Sequence, residues 1–307
     1  MAVNSKWIKS SIALFLALLM TLTFVGCSPS EDDLEGQIKE AVKNVKELNE
    51  TATVGSVGGD WVVKGFCESG TKVDDEFYQA YYDDVRATVK SQKGIIDENY
   101  YTSNARVVIG VCAIGKDPKN IEGYDIVKPL DNYKKVINQG NNAVAFSLIA
   151  SNVAGYKLSN EEKYIDILLE DIMTNKSYKS EKIIDYATMS IEALSYYMDR
   201  AEVKKAVDKA VEGISKRQEK DGSYGNLEST VEAIIALTSI GINPMSDERF
   251  TKDGNNLYEG LMVYRTSDGF KHIIDDDEID PMATEKALLA LDSMKLLKEG
   301  KKLYESK

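Results

Sequence analysis

The feature that most constrains the fold is a loop-and-helix unit that occurs twice in the last third of the chain. In the first copy, residues 218–225 (QEKDGSYG) precede residues 230–237 (TVEAIIAL). In the second copy, residues 265–272 (RTSDGFKH) precede residues 284–291 (TEKALLAL). A unit that recurs at an interval of about 50 residues is typical of repeat folds, in which similar elements pack against one another. The unit therefore predicts a repeat architecture.

Helical patterning extends over most of the other residues as well. No segment alternates apolar and polar residues for long enough to predict a strand, so the chain is expected to be all-α. The pattern predicts twelve helices, near residues 34–49, 58–69, 75–92, 103–114, 123–137, 141–152, 160–175, 184–198, 201–219, 227–240, 253–265 and 282–297.

The predicted helices are of two kinds, and the two kinds alternate. Residues 106–114 and 231–240 are apolar around most of the helix, whereas residues 202–212 carry only an apolar stripe. A helix that is apolar all round is buried, and a striped helix covers it. About six inner–outer hairpins in a closed ring are therefore expected. Since no Gly/Ser-rich linker divides it, residues 34–307 are predicted to form a single domain.

The N-terminal residues predict an exported, lipid-anchored protein. Lys6 and Lys9 precede an apolar run over residues 12–25, which is short for a membrane span and typical of a signal peptide. The following Gly26–Cys27 pair resembles a bacterial lipobox. The resemblance implies that residues 1–26 are removed, that Cys27 is lipidated, and that residues 27–33 form the lipidated cysteine and a short tether. The expected location is the extracytoplasmic face of a bacterial membrane.

The charge of the chain restricts its class of partner, and its cysteine content bears on disulfide formation. The net charge is −12, and it becomes −14 without residues 1–26, which carry two lysines and no acid. An acidic surface excludes nucleic acid, because such binding depends on Lys and Arg neutralising phosphates. Cys67 and Cys112 lie in apolar helical contexts, which favours buried free thiols over a disulfide.

The motifs resemble the repeats of the prenyltransferase and squalene-cyclase superfamily, and most closely bacterial surface proteins with prenyltransferase/squalene oxidase repeats. The resemblance covers about residues 55–297 and implies an α/α toroid. That fold hosts cyclases, transferases and pure binding proteins, so it does not by itself give a function. Besides the two repeated units, the resemblance is carried by Asp60-Trp61, Ala105-Arg106, residues 115–118, 121–124, 185–189, 228–230, 241–244 and 282–285.

An enzyme of this superfamily would need an acid or a metal. Protein prenyltransferases hold zinc with Asp, Cys and His, whereas His272 is the only histidine here, so zinc is not expected. Class II terpene cyclases use the middle Asp of a D-x-D-D motif as an acid. This chain has an acidic run in a similar loop, at Asp275, Asp276, Asp277 and Glu278, with Asp280 completing the cluster. The run has three interpretations: a catalytic acid, a set of calcium ligands, or solvent-exposed acids that precede the positive end of the next helix. No cofactor is predicted.

Other candidate residues belong to a concave face at one end of the predicted ring. Asp185, Glu228 and Glu285 lie near the starts of inner helices, where they are either cavity-rim acids or helix caps. The remaining candidates are possible ligand contacts whose alternative role is structural, and they are Tyr224, Phe270 and His272.

Three hypotheses follow from these residues. The sequence favours a non-enzymatic, lipid-anchored surface module that binds an unidentified ligand or protein on a concave face. The alternative is a toroid enzyme acting on an isoprenoid or a glycan, with Asp185 or the acidic run as its acid. A corrinoid-binding protein is the third, by analogy with the toroid of intrinsic factor.

Overall fold

A computed structural model of the chain describes residues 31–174 and 183–305. The predicted signal peptide (1–26) and Cys27 lie outside these residues. The described part contains twelve α-helices and no strand, which confirms the all-α prediction. The helices are α1 Glu31–Leu48, α2 Asp60–Glu68, α3 Asp75–Ser91, α4 Tyr101–Ala113, α5 Tyr133–Ile137, α6 Asn141–Val153, α7 Glu161–Thr174, α8 Ile183–Leu194, α9 Ala201–Ser215, α10 Leu227–Ser239, α11 Leu257–Met262 and α12 Pro281–Lys298.

One predicted helix was wrong over its first half. Residues 123–132 contain a tight turn and a 3-10 helix, Lys128–Asp131, and only Tyr133–Ile137 is α-helical. The turn has left-handed backbone at Glu122 (φ 51°) and Gly123 (φ 85°), which an α-helix does not accept. The same turn recurs at Asp253 (φ 49°) and Gly254 (φ 93°), and there it delays the start of α11 to Leu257.

The even-numbered helices, called here the core helices, pack against one another in order. Helix α2 packs against α4, α4 against α6, α6 against α8, α8 against α10, α10 against α12, and α12 against α2. In α10 every residue except Glu228 is buried. The odd-numbered, outer helices cover this layer: α1 lies on α12 and α2, α7 on α6, α9 on α8 and α11 on α10. Inner and outer helices therefore differ in burial as predicted.

All six core helices begin at the same end of the molecule, which we call the upper end. There Ser229 of α10 donates to the Asp185 carboxylate of α8, at 2.8 Å. The Glu285 carboxylate of α12 accepts the N–H of Gly58, which precedes α2, at 2.8 Å. The Gln139 side chain, before α6, accepts the N–H of Tyr101 at the start of α4.

The opposite, lower end holds the last turns of the core helices. Lys295 of α12 donates to the carbonyl of Ser69 beyond α2, at 3.1 Å. Asn152 of α6 donates to the Tyr197 hydroxyl beyond α8, at 2.8 Å. Connections from outer to core helices therefore lie at the upper end, and connections from core to outer helices leave the core helices at the lower end. The two longest of the latter, 114–132 and 240–256, return far enough to pack against Gly94 and Gly222.

The repeated unit has one hydrogen-bonding scheme in both copies. In the first, the Thr230 hydroxyl accepts the N–H of Tyr224 at 3.0 Å and donates to the carbonyl of the α10 cap residue, Asn226, at 2.8 Å. In the second, the Thr284 hydroxyl accepts the N–H of Phe270 at 3.0 Å and donates to the carbonyl of the α12 cap residue at 2.9 Å. The threonine thus fixes the loop to the start of the helix that follows it.

No helix in the described ranges is both long enough and apolar enough to cross a bilayer.

Replacing Gly222 by alanine is expected to destabilise the fold strongly. Gly222 has φ 89°, and a Cβ there would lie 2.3 Å from the carbonyl oxygen of Asn256. Gly241 is a matched control, because its φ is 80° but nothing lies within 4 Å of its Cβ position. The left-handed backbone alone costs an alanine about 1 kcal/mol, and the backbone clash raises the cost at Gly222 to about 3 kcal/mol. Urea unfolding of the two variants measures the difference; equal losses would contradict the close approach of these two loops.

Candidate functional site

A pocket of about 530 Å³ opens at the upper end, between the starts of α8, α10 and α12. We call it the rim pocket. It brings together Asp185, Glu228 and His272, three of the residues that the sequence singled out. The other residues that line it are Asn226, Ser229, Asp280 and Met282.

Helix capping sets the shape of the rim pocket. The Asn226 side chain accepts the N–H of Ser229 at 2.9 Å and caps α10. The Asp280 carboxylate accepts the N–H of Ala283 at 2.8 Å and caps α12, whose first residue is Pro281. A capping side chain satisfies backbone donors that a helix start leaves unpaired. Since other residues cap α10 and α12, Glu228 and Glu285 are available for other contacts.

The His272 and Glu228 side chains are in direct polar contact across two elements. The His272 Nδ1 atom lies 2.5 Å from the Glu228 carboxylate, and about half of the imidazole surface is exposed. The carbonyl of His272 also accepts the N–H of Leu227 at 2.9 Å. The loop of the second repeat is therefore bound to the first turn of α10, and one wall of the rim pocket is fixed in place.

The acidic run lies in the loop beside the rim pocket. The side chains of Asp275, Asp277 and Glu278 are exposed. Asp276 is partly exposed, and its carboxylate accepts the N–H of Ile273 at 3.0 Å, which closes a local turn. Across the described ranges, no three His, Cys, Asp or Glu side chains are grouped closely enough to hold a metal ion.

Glu285 lies away from the rim pocket, buried between α12 and the segment before α2. One carboxylate oxygen accepts the N–H of Gly58 and, at 3.4 Å, the Asn49 side-chain amide, while the other has no hydrogen-bonding partner. Burial raises the pKa of Glu285 to about 7, and the two hydrogen bonds oppose that shift only in part. Glu285 is therefore a structural acid that joins α12 to the loop before α2.

Tyr224 and Phe270 are also outside the rim pocket. Both are buried, and the Tyr224 hydroxyl donates to the carbonyl of Ile214 in α9 at 3.0 Å. Both rings therefore belong to the packed core, where the aromatic side chain of each repeat lies between helices.

The structure contains a buried acid at the start of α2 that sequence reasoning did not assign to a site. Asp60 accepts hydrogen bonds from the Tyr81 hydroxyl, at 2.5 Å, and from Arg106, at 2.7 Å. Burial raises the pKa of Asp60 to about 6, although the Arg106 charge and both hydrogen bonds lower it. Because Gly110 has no side chain, α4 can approach the Tyr81 hydroxyl closely. The contacts join α2, α3 and α4.

A second unassigned cluster lies in the interior, on α8, α10 and α12. Lys286 pairs with Glu232 at 2.9 Å and lies 4.6 Å from the centre of the Trp61 ring. Burial and the neighbouring Glu232 raise the pKa of Glu192 well above its usual value. Two acids thus share one lysine in a region from which water is largely excluded, and Glu192 favours its protonated form.

Aromatic side chains fill the space around this cluster. The Trp61 ring of α2 lies against the Phe146 ring of α6, with ring centres 5.8 Å apart. This contact crosses the interior, because α2 and α6 are not neighbouring core helices and α4 packs against both. Tyr304, after α12, also lies against Trp61, at 6.1 Å, and its carbonyl accepts a hydrogen bond from the Tyr196 hydroxyl beyond α8. Residues after α12 therefore cover the interior from the lower end.

A signal for the interior cluster was present in the sequence. Glu192 and Glu232 each interrupt an apolar stretch of their helix, and Lys286 directly precedes the apolar residues 287–291. A charge in a fully buried helix requires a partner. What the sequence did not show was which of these charges face one another.

Neither cysteine of the described part is in a disulfide, and both are half-buried. Cys67 lies in a groove of about 610 Å³ at the lower end, together with Tyr78, Tyr82 and Lys116. Burial raises the pKa of Cys112 to about 11, so this thiol is a weak nucleophile at neutral pH.

No protein-family model matches the chain, and no curated protein sequence matches it. The resemblance to the prenyltransferase and squalene-cyclase repeats therefore rests on the motifs themselves.

Removing the carboxyl group of Glu285 is expected to change how stability depends on pH. The pKa is about 7 in the folded chain and 4.5 in the reference state, so folding takes up a proton between these values and stability falls as pH rises from about 4.5 to 7. The Glu285→Gln variant lacks this loss of stability. Between pH 4 and pH 8, the difference in free energy of unfolding between variant and wild type should therefore shift in favour of the variant by roughly 2–3 kcal/mol. Urea unfolding at pH 4, 6 and 8 measures this.

The exposed Glu278 provides the control for that experiment. Glu278→Gln should leave the pH profile of the wild type unchanged. A Glu285→Gln profile that runs parallel to the wild type would show that Glu285 titrates normally in the folded chain.

Proposed function

We propose that this chain is a lipid-anchored bacterial surface protein, an α/α toroid that binds a ligand or partner at one end and catalyses no reaction. The sequence of core-helix contacts supports the toroid, because it passes from α2 through α4, α6, α8, α10 and α12 and returns to α2. The two repeats with identical loop-to-helix hydrogen bonding support it as well. The lipobox-like residues before Cys27 support the anchor.

The observation that carries the binding function is the filled interior. In a toroid enzyme the substrate must reach groups inside the ring, where water is excluded. Here Trp61 is buried in that space, and its ring packs against the rings of Phe146 and Tyr304. A ligand is therefore left with the ends of the molecule, and the rim pocket at the upper end is open and carries three carboxylates, those of Asp185, Glu228 and Asp280.

The second candidate is a toroid enzyme, and Glu192 is the observation that favours it. This carboxyl is buried, favours its protonated form and lies close enough to Tyr304 to affect the pKa of its hydroxyl. A protonated carboxyl beside aromatic rings is suited to act as a general acid. For substrate to reach it, residues 299–305 would have to leave the lower end.

A ligand screen separates the two candidates. The mature chain is tested by thermal unfolding with prenyl diphosphates, corrinoids, glycan fragments and calcium. A ligand at a hundred times its Kd stabilises the folded state by about 2.7 kcal/mol, which raises Tm by about 5 °C in a domain of this size. We expect no such shift from prenyl diphosphates or corrinoids. A shift that is lost in Glu192→Gln would establish an accessible interior and refute the binding-only proposal.

The anchor is tested by metabolic labelling with palmitate. The wild-type chain is expected to carry the label and Cys27→Ala to lack it, because the sulfur of Cys27 is the proposed attachment point. Cys67→Ala is the matched control and should be labelled like the wild type. Each buried methylene of an acyl chain contributes about 0.8 kcal/mol to membrane binding, so the label should follow the membrane fraction. Label retained in Cys27→Ala would rule out this anchor.

A further inference from the structure

The exposed apolar side chains of the described part are concentrated at one end of the molecule. Five of them lie in outer-to-core connections or in the first turn of a core helix: Val57, Tyr100, Ile273, Ile274 and Met282. The other three, Leu48, Met173 and Val263, lie at the final residues of outer helices, which run towards the same end. All eight therefore belong to the upper end.

This distribution is not that of an ordinary surface. Single exposed apolar residues are normal when they are scattered, whereas a concentration of them marks a surface that another molecule covers. The core-to-outer connections are as long, yet their large apolar residues, such as Ile121, Leu130 and Phe250, are buried. The upper end is thus the surface where burial remains incomplete.

Acidic groups lie next to the most compact part of this apolar surface. Met282 lines the rim pocket with Asp185 and Glu228, and Ile273 and Ile274 follow the pocket residue His272 directly. Met282, Ile273 and Ile274 have 38%, 39% and 46% of their surface exposed. The same loop then continues with the exposed acids Asp275, Asp277 and Glu278. A complementary surface must therefore be apolar and positively charged.

We propose that the upper end is the docking face for a partner protein that presents a Lys or Arg side chain flanked by apolar side chains. The basic side chain enters the rim pocket beside Asp185 and Glu228. The apolar neighbours cover Ile273, Ile274 and Met282. This proposal rests on the proposed function, since it names the partner class of a protein taken to be a surface binding module.

The position of the anchor excludes the bilayer as the occupant of this face. Helix α1 begins at Glu31 at the lower end and finishes at Leu48 at the upper end, so it spans about 27 Å between them. Cys27 is only four residues before Glu31, which is at most about 14 Å of extended chain. A lipid on Cys27 therefore holds the lower end near the membrane, and the upper end faces outward. Exposed acids also repel anionic head groups.

The test uses the lipidated chain in nanodiscs of neutral phosphatidylcholine and three fluorescent twelve-residue peptides. The first alternates Leu with Lys, the second replaces each Lys by Glu, and the third replaces each Leu by Ser. Fluorescence anisotropy in 150 mM salt should show binding of the first peptide, and at least tenfold weaker binding of the other two. Failure of the first peptide to bind at millimolar concentration would overturn the proposal.

Matched variants then locate the binding surface. Ile273→Ser/Ile274→Ser/Met282→Ser and Asp185→Asn/Glu228→Gln should each weaken the first peptide at least tenfold, with Tm measured to confirm that the variants fold. Asp117→Asn/Asp199→Asn removes the same number of charges at exposed acids just beyond α4 and α8, at the lower end, and should leave binding unchanged. Equal weakening by this lower-end variant would overturn the proposal, because it would show attraction to overall charge alone.

Failure of this proposal is distinguishable from failure of the proposed function. Loss of the docking result, with palmitate labelling and the ligand screen unchanged, refutes only the partner class and the face. A Tm shift that depends on Glu192 refutes the binding-only function whatever the peptides do.

Discussion

Close packing of six helices that are buried on nearly every side is the constraint on which the rest of the structure depends. Such helices have little solvent-facing surface on which to place charged residues, so an ionisable side chain there must either find a partner inside or favour its uncharged form. The pairs Asp60–Arg106 and Glu232–Lys286 are the result. Each joins two neighbouring core helices, so the requirement for charge pairing also fixes which helix faces which.

The same constraint leaves the ends of the molecule as the surfaces open to a ligand or partner. When the interior is occupied by Trp61, Phe146 and Tyr304, the connections between helices are the surfaces that remain for variable chemistry. At the upper end these connections are anchored at their helix-proximal residues by caps and by the threonine of each repeat. The exposed residues of these connections are therefore held by ordered backbone, which limits the conformational entropy that the loops would lose if a partner bound.

Much of the fold was predictable from the sequence because its signals are local. The starts of α10 and α12 follow from apolar periodicity, from Asn226 and from the Asp280–Pro281 pair. The turn at Glu122 was missed, because only Gly123 marks it and the surrounding residues keep a helical pattern. The rim pocket was found in part, through residues at helix starts. The role of Glu285 was not predictable, because Gly58, its partner, is 227 residues away along the chain.

The contacts made after α12 have a consequence for how the chain is made. Lys302 donates to the carbonyl of Ser195. Helix α12 binds Gly58 before α2 and Ser69 after α2, which both precede α12 by more than two hundred residues. These contacts have very high sequence separation, so they form last and slowly. Before residues 281–305 are synthesised, Trp61 lacks its contact with Tyr304, and α1 and α2 lack their contacts with α12. The native state therefore cannot close until nearly all of the chain is available.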